Sequence, residues 1–232
     1  MRYLRYFISV FLLSILALQA FFFLQILAWR WVNPSVTAFQ LAERHRLCGW
    51  SIPYIHSCGI KQEWIEFKKI SPYLKRAITI SEDSDFYRHA GFEPQAMKDA
   101  WDRNQKNSKH LRGGSTITQQ LAKNLFLSGE KNYVRKVQEL AITAMLEITL
   151  PKNRIFEIYL NSVEWGEGVF GIAAASQHYF ALKPNQLSME EAASLAAALP
   201  APKCYDKVQY CSKARVNFPA RIDFILERMN KF

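Results

Sequence analysis

From Tyr6 to Trp29 the chain carries no charged residue, and no other feature narrows its fold as far. A helix that crosses a bilayer needs about 20 mainly apolar residues. This run supplies them. A cleaved export signal has an apolar region of about 7–15 residues closed by a small-x-small site, whereas FFFLQILAW runs straight past Ala20, the one weak candidate. The run therefore predicts an uncleaved anchor over residues 6–29. Arg2 and Arg5 precede it with no acidic residue nearby, so residues 1–5 are expected in the cytoplasm and everything after the anchor outside.

Lys and Arg outnumber Asp and Glu by 30 to 20, which favours polyanionic partners: nucleic acid, anionic lipid or a phosphorylated substrate. The exported placement excludes nucleic acid and leaves the other two. An oxidising compartment also permits disulfides. Cys48, Cys58, Cys204 and Cys211 allow three connectivities, of which nearest-neighbour pairing is the expectation.

Residues 30–70 mix aromatic, basic and Pro or Gly residues without period and read as a connecting region with one short helix. Residues 71–232 are predicted as one mostly α-helical domain. Gly113 and Gly114 punctuate the start of a helix with Ser115 as its expected N-cap and Ile117, Leu121 and Leu125 at i, i+4, i+8. Val134–Leu150 repeats an apolar pattern through Val137, Leu140, Ala141, Ala144, Met145 and Ile148, until Pro151 ends it. A helix from Asn153, a glycine-rich turn with Gly166, Gly168 and Gly171, two Ala-rich helices and a closing helix near residues 215–230 complete the reading. Glu93–Asn107 reads as a solvated helix, and Lys98–Arg112 as a basic stretch that is either a solvated loop or a flap over a site near lipid.

Three stretches carry candidate chemistry. In SEDSDFYRHAG, residues 81–91, a carboxylate crowded by other carboxylates beside Phe86 is suited to proton transfer near neutral pH, which singles out Glu82; a solvated helix-start face is the competing account. GGSTITQQLAKN, residues 113–124, opens a helix whose first amides can receive an anion, with Gln120 and Lys123 on one face and Gln119 at i, i+4 from Lys123. An ordinary capped amphipathic helix explains it equally. In KNYVRKVQE, Arg135 and Glu139 lie one turn apart, a pair worth only about 0.2–0.5 kcal/mol on a solvated helix.

In this order, the stretches resemble the glycosyltransferase family that polymerises peptidoglycan from lipid II, and within it the monofunctional biosynthetic members. EDSDFYRHAG is similar to the first motif, GGSTITQQLAKN to the second, RKVQELAITAMLE to the third, KNRIFEIYLNSVEWG to the fourth with Phe156 where Leu is usual, and HYFALKPNQLSMEEAASLAAALPAP to the fifth. The resemblance implies a lysozyme-like helical fold in the periplasm, held to the bacterial inner membrane by the anchor. It makes Glu82 the base that deprotonates an acceptor sugar, with inversion and loss of undecaprenyl diphosphate. Glu139 becomes the second essential carboxylate. Lys123, Lys131, Arg135 and Lys136 become the cations facing the diphosphate, with Lys131 where Arg is common. Ser115, Gln119 and Gln120 become donor contacts. A divalent cation such as Mg²⁺ bridging phosphate oxygens is implied too, with ligands the sequence does not give. Lipid II, the nascent glycan and the bilayer are the expected partners, with wall-synthesis or division proteins as further ones.

Asp83, His89, Glu147, Asn161, Glu190, Trp165, Tyr179 and Phe180 are expected to be structural, Asp83 by supporting Glu82. A transpeptidase domain is not expected, since the motifs end near Pro202 and no Ser-x-x-Lys follows. Two other functions compete: a lysozyme-like muramidase or lytic enzyme that cleaves glycan strands, and a non-enzymatic anchored scaffold. The first has no use for a phosphate-directed cation cluster. The second predicts that Glu82→Gln changes nothing.

Overall fold

The computed structural model describes residues 2–49, 59–95, 98, 114–130, 132–213 and 217–231. The uncharged run is one long helix, α1 (Arg2–Ala28), apolar and long enough to cross a membrane. Its first part is bare; from Gln19 onward one side meets the rest of the chain, and Ile26 and Trp29 are buried. The connecting region holds its expected short helix, α2 (Ala38–Cys48), started by a reciprocal cap between Thr37 and Gln40. It then adds strand β1 (Lys61–Gln62).

The domain packs as two helical groups. In the first, α3 (Pro72–Glu82) and α10 (Phe218–Asn230) both pack on α8 (Met189–Ala198). Alanines make that possible: Ala192, Ala193, Ala196, Ala197 and Ala198 are all buried, and a methyl side chain lets neighbouring backbones approach closely. In the second, α4 (Ile117–Phe126) packs on α5 (Tyr133–Thr149) and α6 (Lys152–Ser162). The α4 stripe behaves as its spacing predicts, with Ile117 and Leu121 at 0% exposure and Leu125 at 5%. Phe86 and Phe156 join the groups through a ring contact at 5.3 Å. Both rings are fully buried.

A small sheet completes the fold, in the order β1, β3 (Val169–Phe170), β2 (Glu164–Gly166). β1 pairs parallel and β2 antiparallel to β3. Beyond it run α7 (Ile172–Phe180) and the short α9 (Pro202–Asp206). Asn161 ties the connecting region down: its side chain donates to Ile65 O and accepts from Ile65 N, at 2.9 and 2.8 Å. The Cys204–Cys211 disulfide is formed as expected; the other expected pair includes Cys58, outside the described residues. The helix expected over residues 93–107 and the flap over 98–112 lie almost wholly outside them too.

Three local expectations change. The α4 N-cap is Thr116, not Ser115, because Thr116 forms a reciprocal cap with Gln119. On α8 the capping partner of Ser188 is Glu191, while Glu190 is exposed and makes no bond to another helix among the described residues. On α5 the predicted apolar stripe is largely outside the core: Val134, Val137 and Ile148 are exposed, whereas Glu139, Ile142, Thr143 and Leu146 are buried. Neighbours on α4 and α1 decided which side of α5 turned inward, and a polar side chain with partners was accepted there.

Candidate active site

Glu82 ends α3, where it reaches both helical groups. Its Oε1 accepts from Arg221 Nη2 at 2.6 Å, from α10. Its Oε2 accepts from Gln120 Nε2 at 2.9 Å, from α4. Ser81 Oγ lies 3.1 Å from Oε1 and 3.2 Å from Ala196 O, and can donate to one at a time. Arg221 also bonds Ser81 Oγ at 2.6 Å, so one guanidinium grips two neighbouring residues. The Gln120 amide is itself oriented, because the phenol of Tyr159 on α6 donates to its Oε1 at 3.0 Å. Burial, then the negative charges of Glu82 and Asp83, raise the Tyr159 phenol well above its usual range and keep it a donor.

The carboxylates that follow Glu82 in sequence have partners of their own. Asp85 pairs with Arg88. Asp83 Oδ1 meets His89 Nε2 at 2.8 Å, and Oδ2 accepts the Ile117 backbone N–H at 2.9 Å. His89 Nδ1 accepts from Gly91 N, which makes Nε2 the protonated nitrogen and Asp83 its acceptor. Asp83 thus places its own negative charge at the start of α4, where a ligand anion was expected. That corrects the helix-terminus reading and makes His89 the hydrogen-bonded histidine expected, while Asp83 is structural through His89 and α4 rather than through a bond to Glu82. Gly91 closes this unit with φ 83°, and a Cβ there would lie 2.7 Å from Thr143 Cγ2 on α5. Any other residue would be strained at this φ and would have to push aside the Thr143 or Glu147 side chain.

Glu139 sits in a different kind of setting. Its side chain is 4% exposed, and its two oxygens accept from Arg135 Nη1 at 2.6 Å and Lys136 Nζ at 2.5 Å. Both cations come from the preceding turn of α5. Arg135 is 15% exposed and Lys136 32%, so the cations lie between the buried carboxylate and solvent. Glu147, further along α5, accepts from Thr118 on α4 and from Lys152, the structural role expected of it.

The remaining sequence candidates divide. Gln120 is in direct contact with Glu82. Lys123 lies one turn beyond Gln120 on the same helix, with its ammonium 5.7 Å from the Phe39 ring centroid. Gln119 is fully buried and spends its carbonyl on the Thr116 cap. Ser115 offers its backbone carbonyl toward Gln120, at 3.5 Å. Lys131 lies outside the described residues. Two residues of the Glu82 group went unremarked in the sequence. Tyr159 is hidden in the apolar pattern of FEIYL, and Arg221 stands beyond the last motif.

A divalent cation held by the chain needs several lone pairs aimed at one point. Among the described residues, Asp83, His89 and Glu93 bring their ligand atoms within 4.8 Å of one another. Asp83 and His89, however, are committed to each other, to Ile117 and to Gly91. Glu139 is committed to two cations. The described side chains do not fit a protein-held cation.

A third charged group lies elsewhere. Lys203 on α9 pairs with Glu43 of α2 at 2.5 Å and with Glu164 of β2 at 3.4 Å. Burial raises Glu164 to about 7, with Lys203 opposing the rise and Glu43 adding to it. Burial pushes Glu43 up as well, but its bonds to Arg46 and Lys203 outweigh that and bring it below its ordinary value. One lysine therefore serves two carboxylates unequally.

Residues 53–230 match the protein family described as Transglycosylase. A protein of Cupriavidus metallidurans named biosynthetic peptidoglycan transglycosylase is 57% identical, over 99% of this chain and 97% of its own length. Proteins of the same name from Ralstonia nicotianae and Paraburkholderia xenovorans are 53% and 48% identical, over 99% and 89% of this chain and 97% and 84% of theirs.

Proposed function

Since the chain belongs to the transglycosylase family and is a peptidoglycan glycosyltransferase, we propose that it polymerises lipid II into β-1,4 glycan outside the cytoplasmic membrane, with α1 as its anchor. Glu82 is the base. Its carboxylate takes the proton from the 4-hydroxyl of the acceptor sugar as that oxygen attacks C1 of the donor chain. The bond from C1 to the diphosphate oxygen breaks, and undecaprenyl diphosphate leaves with the electron pair. An α-linked donor that yields a β link in one displacement inverts at C1, with no covalent sugar intermediate.

The observation that carries this reading is the clamp on Glu82, in which Arg221 and Gln120 hold the two oxygens from facing helices. All its partners are donors, so the carboxylate is presented as an acceptor in a fixed direction, as a base must be. The leaving group gains charge as it departs, and fixed cations stabilise that charge more than the ground state. Arg135 and Lys136 are suited to it because Glu139 holds both; Lys123 adds a third from α4. Glu139 then acts by hydrogen bonding, since both its oxygens are already engaged. No step needs a metal held by the protein.

The test is incubation of the purified full-length protein with lipid II and, separately, with finished sacculi. Glycan polymer from lipid II, lost in Glu82→Gln, is the expected result. Soluble muropeptides from sacculi would overturn the reading in favour of glycan cleavage, and a Glu82→Gln variant as fast as the parent would remove Glu82 from the chemistry.

A further inference from the structure

The anchor is joined to the domain by more than apolar packing. Gln19 Nε2 donates to Gln138 Oε1 at 2.8 Å, and Gln138 Nε2 donates back to Gln19 Oε1 at 3.1 Å. Two primary amides form a closed pair between α1 and α5. Below it, Phe22 contacts Phe126 at 4.9 Å, and Trp29 stacks on Phe126 at 5.1 Å. Gln138 directly precedes Glu139, and lies one turn or less from Arg135.

The depth of this pair follows from helix length. Tyr6 to Leu18, the part of α1 before the pair, covers about 20 Å at 1.5 Å per residue. The hydrocarbon layer is roughly 30 Å thick, so if α1 crosses it, the layer extends past Gln19 to about residue 25. Gln19 is then inside it. Water is not there to satisfy an amide. Ser14 solves the same problem within its helix by bonding Val10 O at 2.8 Å, which the longer Gln19 side chain does through α5 instead. On α5 the residue one turn before Gln138 is Val134, and Val134 and Val137 are 82% and 67% exposed. Apolar side chains left uncovered beside the pair suit that depth. Gln19 lies outside the residues matched to the family.

We infer that Gln19 and Gln138 are positioning residues: their amide pair fixes the depth and rotation of α5 against the membrane, and so presents Arg135, Lys136 and Glu139 to a diphosphate that arrives on a lipid. The lipid-borne substrate rests on the function proposed above. Neither glutamine touches substrate. Removing one partner leaves the other amide unpaired in hydrocarbon, whereas removing both leaves two apolar helices that still pack.

Full-length protein carrying Gln19→Leu, Gln138→Leu or both is reconstituted in phosphatidylethanolamine–phosphatidylglycerol vesicles. A nitroxide on Val134→Cys in each background reports depth through its accessibility to oxygen and to a water-soluble nickel complex. The expected label lies in hydrocarbon in the parent, moves outward in each single variant and returns in the double. Polymerisation of lipid II in the same vesicles falls about threefold in each single variant, the size of an average interhelical hydrogen bond in a membrane. It recovers in the double. In detergent with a short-chain lipid II analogue all four proteins match, which a folding defect would not allow. Equal label depth in the four proteins, a double variant worse than either single, or the same loss in detergent overturns the proposal. A parent protein that made no glycan would count against the lipid II reading alone, because label depth decides the amide pair without activity.

Discussion

Glu82 and Glu139 are both acidic side chains gripped by arginine, but they are assembled in opposite ways. Glu139 takes its two cations from positions three and four residues back on its own helix. Glu82 takes Gln120 from 38 residues away and Arg221 from 139 residues away. A pair within one turn forms as soon as the helix does. The Glu82 clamp exists only after three helices have docked, so it reports the tertiary structure, and Tyr159 behind Gln120 adds a fourth. The difference suits the proposed roles: a base must point at one hydroxyl, whereas cations facing a diphosphate need mainly to be present and charged.

Four substitutions and one titration test that contrast, from the largest effect to the smallest. Glu82→Gln keeps the shape and removes the base, so the rate of lipid II polymerisation is expected to fall about 10²–10⁴-fold, with the melting temperature little changed. Glu139→Gln frees Arg135 and Lys136 from their shared anchor, and a loss of about 10²-fold is expected, as for removal of one well-placed electrostatic group. Should the two losses be equal and the pH–rate profile respond alike to both, the division of roles is wrong. Arg221→Met releases Glu82 on one side without touching the carboxylate; a fall of about tenfold in turnover, with KM little altered and partial recovery in Arg221→Lys, would mark Arg221 as a positioning group. Tyr159→Phe removes one hydrogen bond to Gln120, about 1 kcal/mol, and is expected to slow turnover about fivefold.

Glu164 supplies the smallest effect on catalysis and a third arrangement, one cation shared by two acids. Its carboxyl is raised to about 7 from its ordinary 4.5, so the folded chain holds this proton more tightly than the unfolded chain does. That contribution to stability is complete below about 4.5 and is lost as pH rises through about 7. Thermal melting of the parent and of Glu164→Gln should therefore diverge between about pH 4.5 and 7 in favour of the variant and keep a constant offset above that, while turnover stays the same.

What could be read in the sequence followed the same division. The long apolar helix, the α4 stripe and the Arg135–Glu139 pair are local patterns, and each appeared where its spacing put it. Asn161 was recognisable as a fixing group from its motif, whereas Asp83 was read as a support for Glu82 and instead bonds His89 and the start of α4. The cap at Thr116 was missed by one residue, since Ser115 and Thr116 carry the same chemistry and only backbone geometry separates them. The exposed side of α5 was misread because an apolar stripe shows that a helix has a greasy side, not what covers it. The sheet was invisible in strands of two or three residues, too short to alternate. Arg221 had no local signal at all: an arginine on an amphipathic helix near the end of the chain is ordinary until Glu82 is beside it.

That late position bears on synthesis. Ribosomes make Glu82, Gln120 and the α5 cations before they make α10, so Arg221 is the last of the described partners of Glu82 to be made. Until then every recognisable motif is complete while the base is held on one side only. A stop codon or protease cut just upstream of Arg221 would yield a product that looks intact in a motif search and polymerises poorly.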